Sequence, residues 1–150
     1  MNALVVYYSR TGNAKFVAEK IAQELGADIE EVIDEKNRRG LIGFLTAGYD
    51  ATRGKKTKIA ETKKPPRKFD LVVVRTPVWN SRPTPAIRTY LSNNDLSGKR
   101  IAIFCTTQGG GGEKAIARTK MLIPNSDFPG QLAVSNATKN TADTENRISE

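Results

Sequence analysis

Apolar residues along this chain come in short unbroken runs, and the runs are separated by stretches of helical spacing. Ala3-Leu-Val-Val-Tyr-Tyr8 is apolar and β-rich, without polar alternation, and reads as a strand buried on both faces. Val17, Ala18, Ile21, Ala22 and Leu25 then recur at helical spacing, with Lys15, Glu19, Lys20, Gln23 and Glu24 on the other face, and Gly26 closes the helix. Ile29 to Ile33 suits a second strand. Phe69 to Arg75, with Leu71-Val-Val-Val74 as its body, is a third. Arg100 to Cys105 is a fourth and Leu132-Ala-Val134 a short fifth. Pro85 to Leu91 predicts a helix with Pro in its first turn and Ala86, Ile87, Tyr90 and Leu91 inward. Glu113 to Leu122 predicts another, with Ile116, Ala117 and Met121 as its apolar residues. Between residues 37 and 68 the pattern weakens. Leu41, Ile42, Phe44, Leu45, Ala47 and Tyr49 suit a short helix, against which Gly40, Gly43 and Gly48 count. The tail from Ala137 is polar, with Ile148 its one apolar anchor, so a brief final helix is expected there.

Strands that alternate with helices and are apolar nearly throughout predict an α/β fold: a parallel sheet covered on both faces, in a single domain over residues 1–150. Crossovers in such a sheet are right-handed, and ligands bind beyond the carboxyl ends of its strands.

Composition narrows the chemistry. The chain has no His, which excludes a Ser-His-Asp or Cys-His site and a His-ligated metal within one chain. No side-chain catalyst and no metal site is therefore expected, and the chemistry falls to a bound cofactor. One Cys excludes an internal disulfide framework. No apolar run approaches the roughly 20 residues of a membrane span, and no signal-type segment leads the chain, so a cytoplasmic protein is expected. Net charge is +8. Nearly all of it lies between Arg53 and Lys68, where eight Lys or Arg stand against Glu61 alone. That stretch reads as a solvated, partly mobile loop, or as a face for nucleic acid or an acidic protein surface. It lacks the interleaved aromatics of a single-strand nucleic-acid platform.

Three segments follow predicted strands. Ser9-Arg10-Thr11-Gly12-Asn13-Ala14 offers two hydroxyls, a Gly and the open N–H groups of a helix start, the parts of a phosphate cradle. Neither Walker nor Gly-x-Gly-x-x-Gly spacing is present, and a plain turn with an N-cap is the lesser alternative. Thr76-Pro77-Val78-Trp79-Asn80-Ser81 holds the only Trp, placed either to face a planar ligand or to plug the core. Thr106-Thr107-Gln108-Gly109-Gly110 opens a run of four glycines that exposes backbone groups or simply connects. Together the three ask for one phosphate and one flat heteroaromatic ring.

The chain resembles the flavodoxin superfamily over about Ala3 to Val134. Tyr8-Ser-Arg-Thr-Gly-Asn13 is similar to that family's FMN phosphate loop, and the other two segments fall at its isoalloxazine loops. The resemblance implies a five-stranded, doubly wound sheet of order 2-1-3-4-5 with helices on both faces. It implies that Ser9, Thr11, Gly12, Asn13 and Ala14 hold the phosphate, with help from Arg10, and that Trp79 covers one ring face. Backbone near Val78 to Ser81, after Thr76 and Pro77, would meet the flavin N5 edge, and Thr106 to Gly110 its pyrimidine edge.

The implied function is electron transfer on non-covalent FMN. The alternatives are an FMN-dependent NAD(P)H:quinone or flavin oxidoreductase, with Arg75, Arg82 and the basic stretch meeting a nicotinamide nucleotide, and a basic interaction module without flavin. Ala14 stands where the family usually has Thr, so one donor to the phosphate is missing. Its loss predicts binding weaker by about ten- to a hundredfold at most. The positive charge points to a redox partner with an acidic face. Cys105 reads as a small buried hydrophobe.

Overall fold

The computed structural model describes residues 1–10 and 13–135, with backbone alone at Asn13. Thr11, Gly12 and the expected final helix around Ile148 lie outside the described residues.

Among the described residues five strands are joined by four α-helices: β1 (Ala3–Tyr7), α1 (Asn13–Leu25), β2 (Asp28–Glu31), α2 (Gly40–Thr52), β3 (Leu71–Pro77), α3 (Pro85–Asn93), β4 (Arg100–Thr107), α4 (Gly112–Leu122) and β5 (Asp127–Ser135). The sheet is parallel throughout and ordered β2-β1-β3-β4-β5, as the resemblance implied. From β1 the chain crosses to β2 on one side and then to β3 on the other. The loops after β1 and β3 therefore part, and a crevice opens between them.

Each face of the sheet has its own core. Val5, Tyr7, Leu71, Val73 and Phe104 pack under Val17, Ala18, Ile21 and Ala22 of α1. Leu4, Val6, Val72, Val74, Ile101, Ile103 and Cys105 pack under α3 and α4 through Ala86, Ile87, Tyr90, Leu91, Ala115 and Ile116. α3 starts cleanly, because Thr84 is its N-cap, whose hydroxyl accepts from Ile87 N–H, and Pro85 takes the first helical position.

Three expectations change. Leu25 and Met121 are exposed, and Ala117 faces solvent, because Ala115 and Thr119 complete the inward face of α4. α2 is a full 13-residue helix. One of its glycines serves contact: a Cβ on Gly43 would run into the Arg38 backbone, so Gly there lets the helix lie against the segment leading into it.

The third change concerns the basic stretch, which is a strap with an anchored backbone. Ile59 bridges Asp34 in antiparallel fashion, Glu35 N–H donates to Lys58 O and Ala60 N–H to Ile33 O, both at 2.9 Å. The buried Glu30 carboxylate accepts from the N–H groups of Lys63 and Lys64 at 3.1 and 2.9 Å. The strap thus runs along the β2 edge of the sheet, where an open strand edge would otherwise stand, while Lys55, Lys56, Lys58 and Lys63 keep their side chains in solvent.

Candidate functional site

Loop one leaves β1 at Tyr8. The Tyr8 ring is buried and meets Trp79 edge to face, with centroids 5.7 Å apart. Burial and the nearby Asp34 charge push the Tyr8 phenol up to about 12, so it stays protonated. Ser9 and Arg10 are half-buried, and Arg10 reaches the carbonyl of Arg38 and covers the Phe44 ring. Asn13 begins α1, and Ala14 is buried in its first turn.

Loop two is a tight reversal. Trp79 and Arg82 exchange both backbone hydrogen bonds, and Asn80 and Ser81 between them have φ of +51° and +57°. Two successive positive φ values mark a type I′ turn, and neither residue is Gly. The strained backbone is held from three sides. Asn80 Nδ2 donates to Thr52 Oγ1 at the end of α2 (2.6 Å), Arg118 Nη1 of α4 donates to Ser81 O (2.7 Å), and Val78 N–H donates to Thr106 O (2.9 Å). Thr76 is fully buried at the base of the loop, where its hydroxyl accepts from Thr84 N–H and donates to Pro77 O. Pro77, Val78 and Trp79 are half-buried.

Loop three is organised by one hydroxyl. Thr107 Oγ1 accepts from Gly109 and Gly110 N–H and donates to Gly110 O at 2.6 Å. Gln108, Gly109 and Gly110 are exposed. Gly111, at φ +80°, lies against Ser81; a Cβ there would strike the Ser81 hydroxyl. Loops two and three therefore form one surface, closed up to the width that Gly111 allows.

Two arginines lie beneath and beside the site: Arg75, which the sequence offered only for a nicotinamide nucleotide, and Arg38, which it did not single out. Arg75, in β3 between Tyr7 and Phe104, is buried; Nη1 donates to the carbonyl of Tyr8, the other terminal nitrogen donates to Thr106 Oγ1, and Nε has no partner. Among the described residues no carboxylate faces it, and burial pushes its pKa down to about 10. It lies beneath loops one and three and is not displayed on the outer surface, where the nicotinamide role expected above would need it. Its sequence signal was a charged residue directly after the apolar run Leu71–Val74. Arg38 is also buried. It is held by Asp34 through Nε (2.6 Å) and by Asp50 through Nη1 (2.9 Å), with its guanidinium 5.9 Å from the Trp79 ring centroid and Nη2 unpartnered. Cys105 is fully buried and its thiol is pushed up to about 12 by desolvation, so it is an inert core residue.

On the β2 side, Ser9, Arg10, Lys15, Glu31, Arg39, Gly40, Leu41 and Phe44 line an open cleft of about 710 Å³ between the starts of α1 and α2.

Fold and site define a doubly wound α/β protein with three loops gathered at its topological switch point, over buried, incompletely partnered guanidinium groups. The chain belongs to the flavodoxin family, whose profile matches residues 49–147. Solved structures agree on the fold. A flavoprotein from Lactobacillus acidophilus NCFM, determined in complex with FMN, is 22% identical over 94% of this chain and 98% of its own, at a TM-score of 0.76. A putative flavoprotein from Bacteroides uniformis ATCC 8492 is 18% identical over 99% and 98%, at 0.78. A flavodoxin from Fusobacterium nucleatum bound to flavin mononucleotide is 11% identical over 99% and 92%, at 0.60. No curated protein matches the sequence.

Proposed function

We propose that the chain binds FMN non-covalently across the three loops and serves electron transfer. The observation that carries this reading is Arg75: a buried guanidinium at the switch point with, among the described residues, one donor unpartnered and no carboxylate opposite. A buried cation without a counter-charge is costly, and a phosphate dianion on loop one supplies that charge. Ser9, Arg10, Thr11, Gly12, Asn13 and Ala14 are the candidates to hold the phosphate, at the N-terminus of α1, where open N–H groups and the helix dipole favour an anion. Trp79, seated on Tyr8 and beside Arg38, offers the aromatic surface for the ring. The Val78–Ser81 backbone and Thr106–Gly110 supply fixed polar groups for the ring edges, preorganised by Thr107, Arg118 and Thr52. When bound, FMN supplies the redox chemistry, and the protein sets its potential through those groups.

The test is a titration of flavin-free protein with FMN and with riboflavin, read by flavin fluorescence. FMN should bind and riboflavin should bind more weakly. Arg75→Met should lose about ten- to a hundredfold in FMN affinity, the worth of a hydrogen bond to a charged group, with little change for riboflavin. Absence of binding at high-micromolar FMN overturns the flavin reading and leaves the basic interaction module, for which strongly salt-dependent nucleic-acid binding is the signature. Bleaching of bound flavin by NAD(P)H alone assigns the oxidoreductase; a requirement for a separate reductase assigns the carrier.

A further inference from the structure

Helix α2 carries its apolar residues on the wrong side for a core helix. Gly43, Ala47, Asp50 and Ala51 face the body of the protein. Leu41, Ile42, Phe44, Leu45 and Tyr49 face outward and are 52–79% exposed. At 3.6 residues per turn these five span an arc of about 160°. Contiguous apolar surface of this kind marks an interaction site. Cations rim it. The Arg10 guanidinium lies 5.4 Å from the Phe44 ring centroid, and Arg53 and Lys55 lie 5.2 and 5.1 Å from that of Tyr49. Arg39 and Lys15 flank the adjoining cleft, where Glu31 is the one acidic lining residue among the described residues. Asp50, the acidic residue within α2, is turned inward onto Arg38 and Lys36.

We propose that α2 is a docking ridge for a protein partner that presents an apolar groove edged by carboxylates. Charge selects this occupant over a second copy of the chain, because two such ridges would set like charges against each other. Relief selects it over a lipid surface: the ridge drops directly into the cleft behind Phe44 and Leu41, a shape that a side chain can fill and a flat bilayer cannot. Residues 136–150 contain one large apolar side chain, Ile148, too few to cover five. The ridge itself stands without a flavin. Its use in electron transfer rests on the proposed function: α2 touches loop one through Arg10 and loop two through the Thr52–Asn80 hydrogen bond, so a partner seated on it borders the site.

The experiment is selection of a phage-displayed peptide library on the full chain, with and without FMN. The enriched peptides should carry apolar residues flanked by Asp or Glu. As synthetic peptides they should lose at least tenfold in affinity on the Ile42→Ser, Leu45→Ser double variant and weaken with salt. Both positions are exposed, so the fold is retained, which circular dichroism checks. Arg39→Glu with Lys55→Glu should weaken binding and remove its salt dependence. Peptides without carboxylates, or peptides that bind the serine variant equally, overturn the proposal. So does dimerisation seen by light scattering, or flotation with vesicles of 70% phosphatidylcholine and 30% phosphatidylserine, if the serine variant abolishes it. Loss of peptide binding only when FMN is withheld would tie the ridge to the flavin site. Equal binding in both states leaves the ridge standing whatever the fate of the flavin reading.

Discussion

At the scale of single residues, buried polar atoms without partners separate structure from function. Tyr90 is fully buried and its hydroxyl has no partner; burial pushes its phenol far above the ordinary range. Its surroundings are the apolar core under α3, and the buried Glu30 carboxylate adds to the upward push without bonding the hydroxyl. Tyr90→Phe removes an unsatisfied group at little cost in volume and should stabilise the fold by about 1 kcal/mol. A lower thermal midpoint in the variant would show that the hydroxyl has a partner. Arg75 and Arg38 also carry unpartnered buried nitrogens, yet they are charged; Arg75 lies near the carboxyl end of β3 and Arg38 in the segment between β2 and α2, on the side of the sheet where a ligand is expected. The sequence signals differed accordingly. Arg75 was legible as a break in an apolar run. Arg38 was not, because Asn37-Arg38-Arg39 reads as any exposed basic turn.

At the scale of elements, α2 is held by an ion network in place of an apolar face. Arg38 bonds Asp34 and Asp50, Lys36 bonds Asp50 at 2.7 Å, and Thr57 bonds Asp34. Burial disfavours the Asp50 charge, but its bonds to Lys36 and Arg38 outweigh this and hold its pKa below the ordinary carboxylate value. A depressed pKa in the folded state means stability present above the unfolded value, near 4, and lost as pH falls through the folded one. Wild-type protein should therefore lose stability progressively below about pH 4. Asp50→Asn should lose roughly 3 kcal/mol at neutral pH, the low end of the range for removing one partner of a buried pair because Arg38 keeps Asp34. Its remaining acid sensitivity should be flatter. Denaturant unfolding of both proteins from pH 3 to 7 reads this out, and parallel profiles would remove Asp50 from the account.

At the scale of the whole molecule, a ligand that binds only the folded chain must stabilise it. FMN at a hundredfold excess over its Kd should add about 2.7 kcal/mol, a rise of roughly 5–10 °C in thermal midpoint for a chain of this size. An unchanged midpoint would argue against an FMN site. Strand count, helix sites, the parallel sheet and the three loops were legible because they rest on short-range patterns: unbroken apolar runs, helical spacing, turn residues after strands. Resemblance to a known family supplied the strand order. Three features were not legible, and all depend on contacts distant in sequence. Trp79 leans on Tyr8 across the crevice between β1 and β3. The basic stretch is pinned by Glu30, Asp34 and Thr89. The apolar residues of α2 face outward because Asp50 and small side chains already fill its inner face. Local periodicity by itself determined which segments become strands and helices, since that choice follows from hydrogen-bonding period and hydrophobic spacing along the chain. Only the tertiary structure decided which face of α2 meets solvent and that the buried Arg75 faces no carboxylate among the described residues, because burial and charge balance are set by neighbours that the fold brings together.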